Sequence, residues 1–297
     1  MLRYDSVDEL IKAAEERDKN ISDIVLEDQA QELGKSTDDI YHQMENNAKV
    51  MEESILDALH PHTKSASGLS GGDAYKLYMA LEQGKSLGGS LMDKVLIKAL
   101  AIAESNASMG RIVAAPTAGS CGILPSVLLA VQEDKKIPRP RMIMSLFTAA
   151  GMGMVIAKRA SISGAEGGCQ AECGSAAAMA AAALVEMLGG SPRMAGHACA
   201  MALKSVLGLV CDPVAGLVEI PCIKRNATGA INAVVAAQLA LAGIESLIPA
   251  DEVIDAMKEV GDLLVPSLRE TGEGGLAATP TARKLAKKIF EDNKENG

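Results

Sequence analysis

The sequence predicts an all-α fold, in which a single compact helical domain has glycine-rich loops between its helices. Apolar residues recur every three or four positions in most segments, whereas the alternation typical of strands is nearly absent. Hydrophobic residues make up 48% of the chain, yet aromatic residues make up only 2% and Trp is absent. We therefore expect a core of Ala, Leu, Ile, Val and Met, whose small or flexible side chains let helices pack closely.

Capping residues mark the first predicted helices. Ser6 and Glu9 form a capping-box pattern, and Ser36 precedes a long helix that His60-Pro61 ends. The length of 297 residues suits one large domain or two small ones. We treat residues 1–297 as one domain, in which residues 1–35 could be a loosely attached helix pair.

The remaining helices are predicted from apolar spacing and from their terminal residues. Their ranges are about 73–83, 91–107, from Pro125 onward, 142–159, 174–188, 194–210, 228–247, 251–264 and from Pro280 onward. Gly189-Gly190 closes the alanine-rich helix, and Pro280 opens the last, basic one. The apolar piece at 111–115 could form a short strand.

Charge and hydropathy exclude several classes of protein. The formal net charge of −9 and the pI near 5.1 argue against nucleic-acid binding, which needs a basic surface. The apolar runs 176–188 and 231–248 contain polar or charged residues, so we interpret them as buried helices and expect no membrane span. Because the N-terminus lacks the apolar core of a signal peptide, the six cysteines predict a reducing, cytoplasmic setting without disulfides.

Three cysteines lie in polar, glycine-rich contexts. Cys169 follows Glu-Gly-Gly, Cys211 precedes Asp-Pro, and Cys222 follows Ile-Pro. Three thiolates can hold three irons of a 4Fe-4S cluster and leave the fourth iron open as a Lewis acid. Their spacing alone does not establish this, because buried cysteines also serve as small hydrophobic residues.

A zinc site is a second interpretation of the cysteines. Cys173 lies four residues after Cys169, so the two would share one face of a helix. Together with His197 and Cys199 they could form a structural zinc site. Zinc ribbons place such ligand pairs on tight turns, however, and the sequence around Cys199 predicts a helix.

Two glycine-rich loops each precede a predicted helix. Glycines let the backbone approach a ligand, and the amides at a helix start favour an anion such as a substrate carboxylate. The candidate substrate-binding residues are Ser67, Ser70, Gly71, Gly72, Asp73, Thr117, Gly119 and Ser120. The alternative is that Ser70, Asp73 and Ser120 only cap helices.

Further charged residues could serve acid–base chemistry. His62 and Lys64 follow Pro61 and are the candidate catalytic residues, since a base must remove a proton near neutral pH. His60 is the weaker candidate, and each of the three could be a solvated loop residue. The residues flanking the cysteines could bind substrate or offset the charge of a cluster; they are Glu166, Glu172, Asp212, Lys224, Arg225 and Asn226.

Four motifs in order carry a resemblance to a known family. They are Ser-Gly-Leu-Ser-Gly-Gly-Asp at 67–73, Ala-Pro-Thr-Ala-Gly-Ser at 115–120, Glu-Gly-Gly-Cys-Gln-Ala-Glu at 166–172, and the segment 211–226. The chain resembles the iron–sulfur L-serine dehydratases, and more narrowly the alpha subunit of their two-subunit form. The similarity runs from about Ser54 to Gly243, and we expect it to cover the whole chain.

The resemblance implies an oxygen-sensitive lyase that converts L-serine to pyruvate and ammonia without pyridoxal phosphate. It places the ligands of a 4Fe-4S cluster with one open iron at Cys169, Cys211 and Cys222. It also implies an oligomer with a beta subunit, on which the base could lie. Two other functions remain open, a cysteine desulfidase that uses the same kind of cluster and a non-catalytic helical binding module.

Overall fold

The computed structural model describes residues 4–295 of the chain, and side chains as far as Phe290. It contains α1 (Val7–Glu16), α2 (Ile21–Leu33), α3 (Thr37–Ala58), α4 (Asp73–Glu82), α5 (Gly89–Ala107), α6 (Ile123–Lys135), α7 (Arg139–Arg159), α8 (Gly164–Gly167), α9 (Ser175–Met187), α10 (Pro192–Lys204), α11 (Cys222–Leu241), α12 (Ala250–Leu263) and α13 (Pro280–Glu295). Within the described residues, the β-structure is one isolated parallel bridge between Cys211 and Arg269. The predicted all-α class is therefore confirmed.

The alanine-rich helix α9 lies at the centre of the core. Its residues 175–185 are all buried, and it packs against α6, α7, α10 and α11. A Cβ atom at Gly153 of α7 would lie 2.9 Å from the Met179 sulfur of α9. The small residues therefore permit a close helix approach, as the composition predicted.

The N-terminal helices α1 and α2 lie against this core. Leu10, Ile21 and Ile24 are fully buried, and they belong to the same hydrophobic cluster as α7 and α9. Helix α1 contacts α10, and α2 contacts α7. A Cβ atom at Gly151 of α7 would lie 2.7 Å from Val25 Cγ2, so α2 packs directly onto the α7 backbone.

Three local predictions differ from the structure. The helix predicted at 194–210 ends at Lys204. Residues 111–115 have no regular secondary structure, so the short strand suggested there does not form. Helix α11 begins at Cys222 rather than near Thr228, and it ends at Leu241. The polar residues after Cys222 interrupt the apolar spacing that marks a helix, because Arg225 and Asn226 contact neighbouring loops rather than the apolar core.

Within the part of the chain that the structure describes, one helix, α7, is long and apolar enough to cross a membrane by length and composition. It is not one of the two apolar runs that the sequence drew attention to. In its most apolar stretch, 67% of the residues are buried inside the protein. That burial is what a core helix requires, so composition alone argues only weakly for a membrane span.

Candidate functional site

Cys169 lies on a tight turn that leads into the central helix. Gly168 has a φ of 75°, which favours glycine, and Gln170–Gly174 then forms one turn of π-helix before α9 begins. Such π-turns are rare and occur often at functional sites. This turn brings the sulfurs of Cys169 and Cys173 to within 3.3 Å, while both cysteines remain free thiols.

Glu172, on the same π-turn, joins two distant segments to the cysteines. The Thr117 hydroxyl donates to its Oε1 at 2.7 Å, and the Cys211 thiol donates to its Oε2 at 3.8 Å. Burial raises the pKa of Glu172 above its usual value, while the hydrogen bond from Thr117 opposes that shift. The predicted loop at 117–120 and the predicted ligand Cys211 therefore meet at one carboxyl group.

Cys211 and Cys222 are both buried beside this carboxyl group. Burial raises the pKa of Cys211 well above its usual value, and the charges of Glu172 and Cys169 raise it further. Burial also raises the pKa of Cys222 to about 12, and Cys169 and Glu172 act in the same direction. The three predicted ligand cysteines thus lie close enough for the charge on one to act on the others.

A half-buried arginine supplies positive charge next to Cys169. The Arg225 guanidinium donates to the Val210 carbonyl at 2.8 Å and to Asp212 Oδ1 at 2.9 Å. A hydrogen bond with Cys173 lowers the pKa of Cys169, burial opposes that, and the charge of Arg225 lowers it further. Cys169 is therefore the thiol of the three that the surroundings favour as a thiolate.

Asn226 fixes the 117–122 loop on the helix that Cys222 begins. Its Nδ2 donates to the carbonyls of Gly119 at 2.8 Å and Cys222 at 2.9 Å. Its Oδ1 accepts from the Gly122 amide at 2.8 Å. The Asn226 side chain is buried, so it serves as a structural link rather than a surface residue.

The loop at 67–73 contacts the segment 211–226, to which Asn226 also belongs. The Ser70 hydroxyl donates to Glu219 Oε2 at 2.7 Å, and Asp73 forms an ion pair with Lys224. Ser67 and Gly68 line a cavity of about 450 Å³ together with Leu217. Both predicted loops therefore contact the stretch that contains Cys211 and Cys222.

The amides at the start of α4 already have a partner. Glu104, a buried carboxyl group on α5, accepts from the amides of Asp73 at 2.7 Å and Ala74 at 3.3 Å. Burial raises the pKa of Glu104, and these two hydrogen bonds oppose the shift. The anion at this helix start is thus a residue of the chain itself, and a substrate carboxylate would have to bind elsewhere on the loop.

The candidate bases lie beside the 67–73 loop but point to solvent. A Cβ atom at Gly71 would lie 2.3 Å from the Thr63 carbonyl and 2.7 Å from Lys64 Cα, so only glycine permits this approach. The His62 amide donates to His60 Nδ1 at 3.2 Å. The side chains of His62 and Lys64 are exposed. Their backbone is near the site, whereas a catalytic role for either stays a prediction.

The four residues of the alternative zinc site do not all lie together in the structure. His197 lines a different cavity of about 230 Å³ beside α1, where its Nδ1 accepts from the Ser246 amide at 3.2 Å. Among residues 4–295, the group of potential metal ligands whose atoms lie within 4.8 Å of one another consists of Glu172, Cys211 and Glu270. Neither His197 nor Cys199 belongs to it.

Three carboxylates of this region were not among the predicted site residues: Glu104, Glu219 and Glu270. Glu104 is detectable in retrospect, because it is an acidic residue within the apolar run of α5. Glu219 lies between Cys211 and Cys222 and is also buried. No sequence pattern around Glu270 marks it as a site residue. Its backbone amide donates to the Cys211 carbonyl at 2.7 Å, and this contact between distant segments places it at the site.

Comparison with known proteins identifies the family. A profile described as serine dehydratase alpha chain matches residues 16–277. The chain is 54% identical over 287 residues to a probable L-serine dehydratase alpha chain of Bacillus subtilis, covering 97% of this chain and 95% of that one. It is 46% identical over 284 residues to the L-serine dehydratase alpha chain of Peptoniphilus asaccharolyticus, covering 96% and 97%.

A longer relative matches over part of its length. L-serine dehydratase TdcG of Escherichia coli is 47% identical over 190 residues, which cover 63% of this chain and 42% of that protein. The family profile and the two alpha-chain relatives span nearly all of this sequence. The four motifs that suggested the resemblance lie within the matched range. The chain therefore belongs to the serine dehydratase alpha-chain family.

Proposed function

We propose that this chain is the alpha chain of an L-serine ammonia-lyase, which converts L-serine to pyruvate and ammonia. Relatives named as L-serine dehydratase alpha chains match it over nearly the full length of both sequences. The observation that carries the proposal is the contact of Glu172, on the π-turn that follows Cys169, with the Cys211 thiol and with Thr117 of a glycine-rich loop. A non-catalytic packing role for the cysteines gives no reason for that arrangement.

We further propose that Cys169, Cys211 and Cys222 hold a 4Fe-4S cluster with one open iron. Two features support the fit. A Cβ atom at Gly164 would lie 2.7 Å from Glu172 Oε2 and 2.9 Å from the Cys211 sulfur, so glycine keeps space open there. The half-buried Arg225 supplies a positive charge that would offset the negative charge of a thiolate-bound cluster. When bound, the cluster would supply an open iron that acts as a Lewis acid on the serine hydroxyl.

The chain's own residues would bind and orient the substrate. The hydroxyl groups of Thr117 and Ser70 already make hydrogen bonds at 2.7 Å to Glu172 and Glu219, and so both loops are fixed before substrate arrives. A preorganised loop lowers the entropic cost of orienting a small substrate. Glu172 is the carboxyl group that we expect to accept a hydrogen bond from the substrate ammonium group, since it contacts both the Thr117 hydroxyl and the Cys211 thiol.

A second subunit would complete the site. The candidate bases His62 and Lys64 are exposed in this chain, whereas a base that removes an α-proton works best when water is excluded. The longer relative TdcG has more than half of its length outside the matched segment. We propose that a beta subunit plays the corresponding part here, covers the loops, and either buries these residues or supplies the base. Six free, buried cysteines favour a reducing cytoplasm as the setting.

The experiment is an anaerobic purification of the chain together with its beta subunit, followed by iron and sulfide analysis and by assays with L-serine and L-cysteine. We expect about four irons per alpha chain and pyruvate formation from serine. Activity should disappear in air and return with iron and thiol. Hydroxylamine should leave the visible absorption unchanged, since no pyridoxal carbonyl is present for it to attack. Full activity of metal-free, aerobically handled protein would overturn the proposal, and preference for cysteine would indicate a desulfidase.

A further inference from the structure

Glu172, Cys211 and Glu270 bring three metal-binding atoms together. The two carboxylate oxygens and the sulfur all lie within 4.8 Å of one another. The Cys211 sulfur and Glu172 Oε2 are 3.8 Å apart. Bonds of about 2.0–2.3 Å in a tetrahedral site place two ligands of one ion about 3.3–3.8 Å apart. The Cys211 sulfur and Glu172 Oε2 already have that spacing, and a movement of about 1 Å by the half-buried Glu270 side chain would bring its oxygen into the range of the same ion.

The donor types select a class of ion. A thiolate favours transition metals over magnesium and calcium, and two carboxylates suit iron, cobalt and zinc in the divalent state. Cys211 is only 3% exposed, and within residues 4–295 the hydrogen-bond partner of its sulfur is Glu172 itself. The buried sulfur thus points into the group of carboxylates and has no other polar contact that would compete with an ion.

The backbone holds the three residues in place. The Glu270 amide donates to the Cys211 carbonyl at 2.7 Å, and Glu270 has a φ of 64°, in the left-handed region that non-glycine residues seldom adopt. On the other side, Gly164 leaves the space next to Glu172 and Cys211 free of a side chain. Glu270 is half-buried, so an ion could reach the group from solvent.

We propose that Glu172, Cys211 and Glu270 bind one divalent transition-metal ion when the chain carries no cluster. Cys211 binds as the thiolate, and its proton passes to water. The cysteines Cys169 and Cys222 are not ligands of this ion. A role as the seat of the first iron during cluster assembly rests on the proposed function, whereas the binding of a single ion does not.

The test is a titration of the full-length chain, prepared free of iron under anaerobic conditions, with Co²⁺ as the probe. We expect one Co²⁺ per chain and the near-ultraviolet absorption of a thiolate bound to cobalt. The variants Glu270→Gln and Cys211→Ser should each raise the Kd by at least about tenfold, and Cys211→Ser should also remove the thiolate band. Circular dichroism and thermal melting would establish that each variant is folded.

Two control variants separate this site from its surroundings. Glu166→Gln removes a carboxylate near Cys169 that lies outside the group, and it should leave the Co²⁺ affinity unchanged. Cys169→Ser should prevent cluster formation yet retain the cobalt band. Equal affinity and an equal band in folded Glu270→Gln, or loss of the band in folded Cys169→Ser, would overturn the proposal.

The outcomes also separate this inference from the proposed function. If the wild-type chain binds Co²⁺ as described but never yields a cluster under anaerobic reconstitution, the single-ion site stands and the cluster proposal fails. If a four-iron cluster forms but the iron-free chain shows no thiolate-bound cobalt, the single-ion site is wrong and the cluster proposal is unaffected.

Discussion

Asn226 donates a hydrogen bond from its amide Nδ2 to the Gly119 carbonyl at 2.8 Å, across 107 residues of sequence. The same side chain accepts from the Gly122 amide and donates to the Cys222 carbonyl. One buried amide group therefore fixes a glycine-rich loop to the first turn of the helix that carries a predicted cluster ligand.

Replacing Asn226 with Ala should lower the free energy of unfolding by about 2–4 kcal/mol, because it leaves the buried Gly122 amide without a partner. Urea denaturation would measure the loss. Asn232→Ala is the matched control, since the half-buried Asn232 donates one hydrogen bond to the Ala202 carbonyl and should cost about 1 kcal/mol. Equal losses in the two variants would contradict the linking role of Asn226.

Gly164→Ala should reduce the amount of bound cluster. The new Cβ would lie under 3.0 Å from Glu172 Oε2 and the Cys211 sulfur, and so one of them must move. Gly119→Ala is a milder test, because its Cβ would lie 3.3 Å from Glu172 Oε1. Iron content per folded chain should fall in the order wild type, Gly119→Ala, Gly164→Ala. An undiminished iron content in Gly164→Ala would argue against a cluster at this position.

Serine substitutions should divide the six cysteines into two groups. Changing Cys169, Cys211 or Cys222 to Ser should abolish the cluster and the activity, because each removes one of three ligands. Changing Cys121, Cys173 or Cys199 should leave the cluster. Iron and sulfide analysis after anaerobic purification would measure this. Cys173→Ser is the most informative variant, since its sulfur lies 3.3 Å from that of Cys169 and yet is predicted not to be a ligand.

Glu186 should make the stability of the protein depend on pH. Burial raises its pKa above the usual value of 4.5, although a hydrogen bond from the Ser22 amide opposes the shift. Between 4.5 and the raised value, the folded state holds a proton that the unfolded state has lost. The contribution of this group to the free energy of unfolding therefore falls as the pH rises through that window, and it stays low above it.

Glu186→Gln removes this dependence. The difference in unfolding free energy between the Gln variant and the wild type should therefore shift in favour of the variant as the pH rises from 4 to 8. Thermal or urea denaturation of both proteins across this range would measure it. A difference that stays constant, or shifts in favour of the wild type, would show that Glu186 does not titrate as its burial implies.

The helices were largely predictable from local patterns. Ser36 and Pro61 bracket α3, and the alanine run with Gly189-Gly190 defines α9, because capping groups and small buried residues act within a few positions of one another. The start of α11 was missed by six residues, since Arg225 and Asn226 are polar residues whose contacts lie on other segments. The π-turn after Cys169 has no pattern of its own in the sequence.

By itself, the sequence determined the all-α class, the family resemblance, and the identity of the candidate cysteines and loops. Only the tertiary structure decided which groups meet. In the structure, Glu172 contacts Thr117 and Cys211. Glu104 accepts hydrogen bonds from the first amides of α4, and Glu270 lies against Cys211. Capping and helix spacing depend on neighbours three or four positions apart, whereas these contacts depend on how whole helices pack, and no local pattern records that.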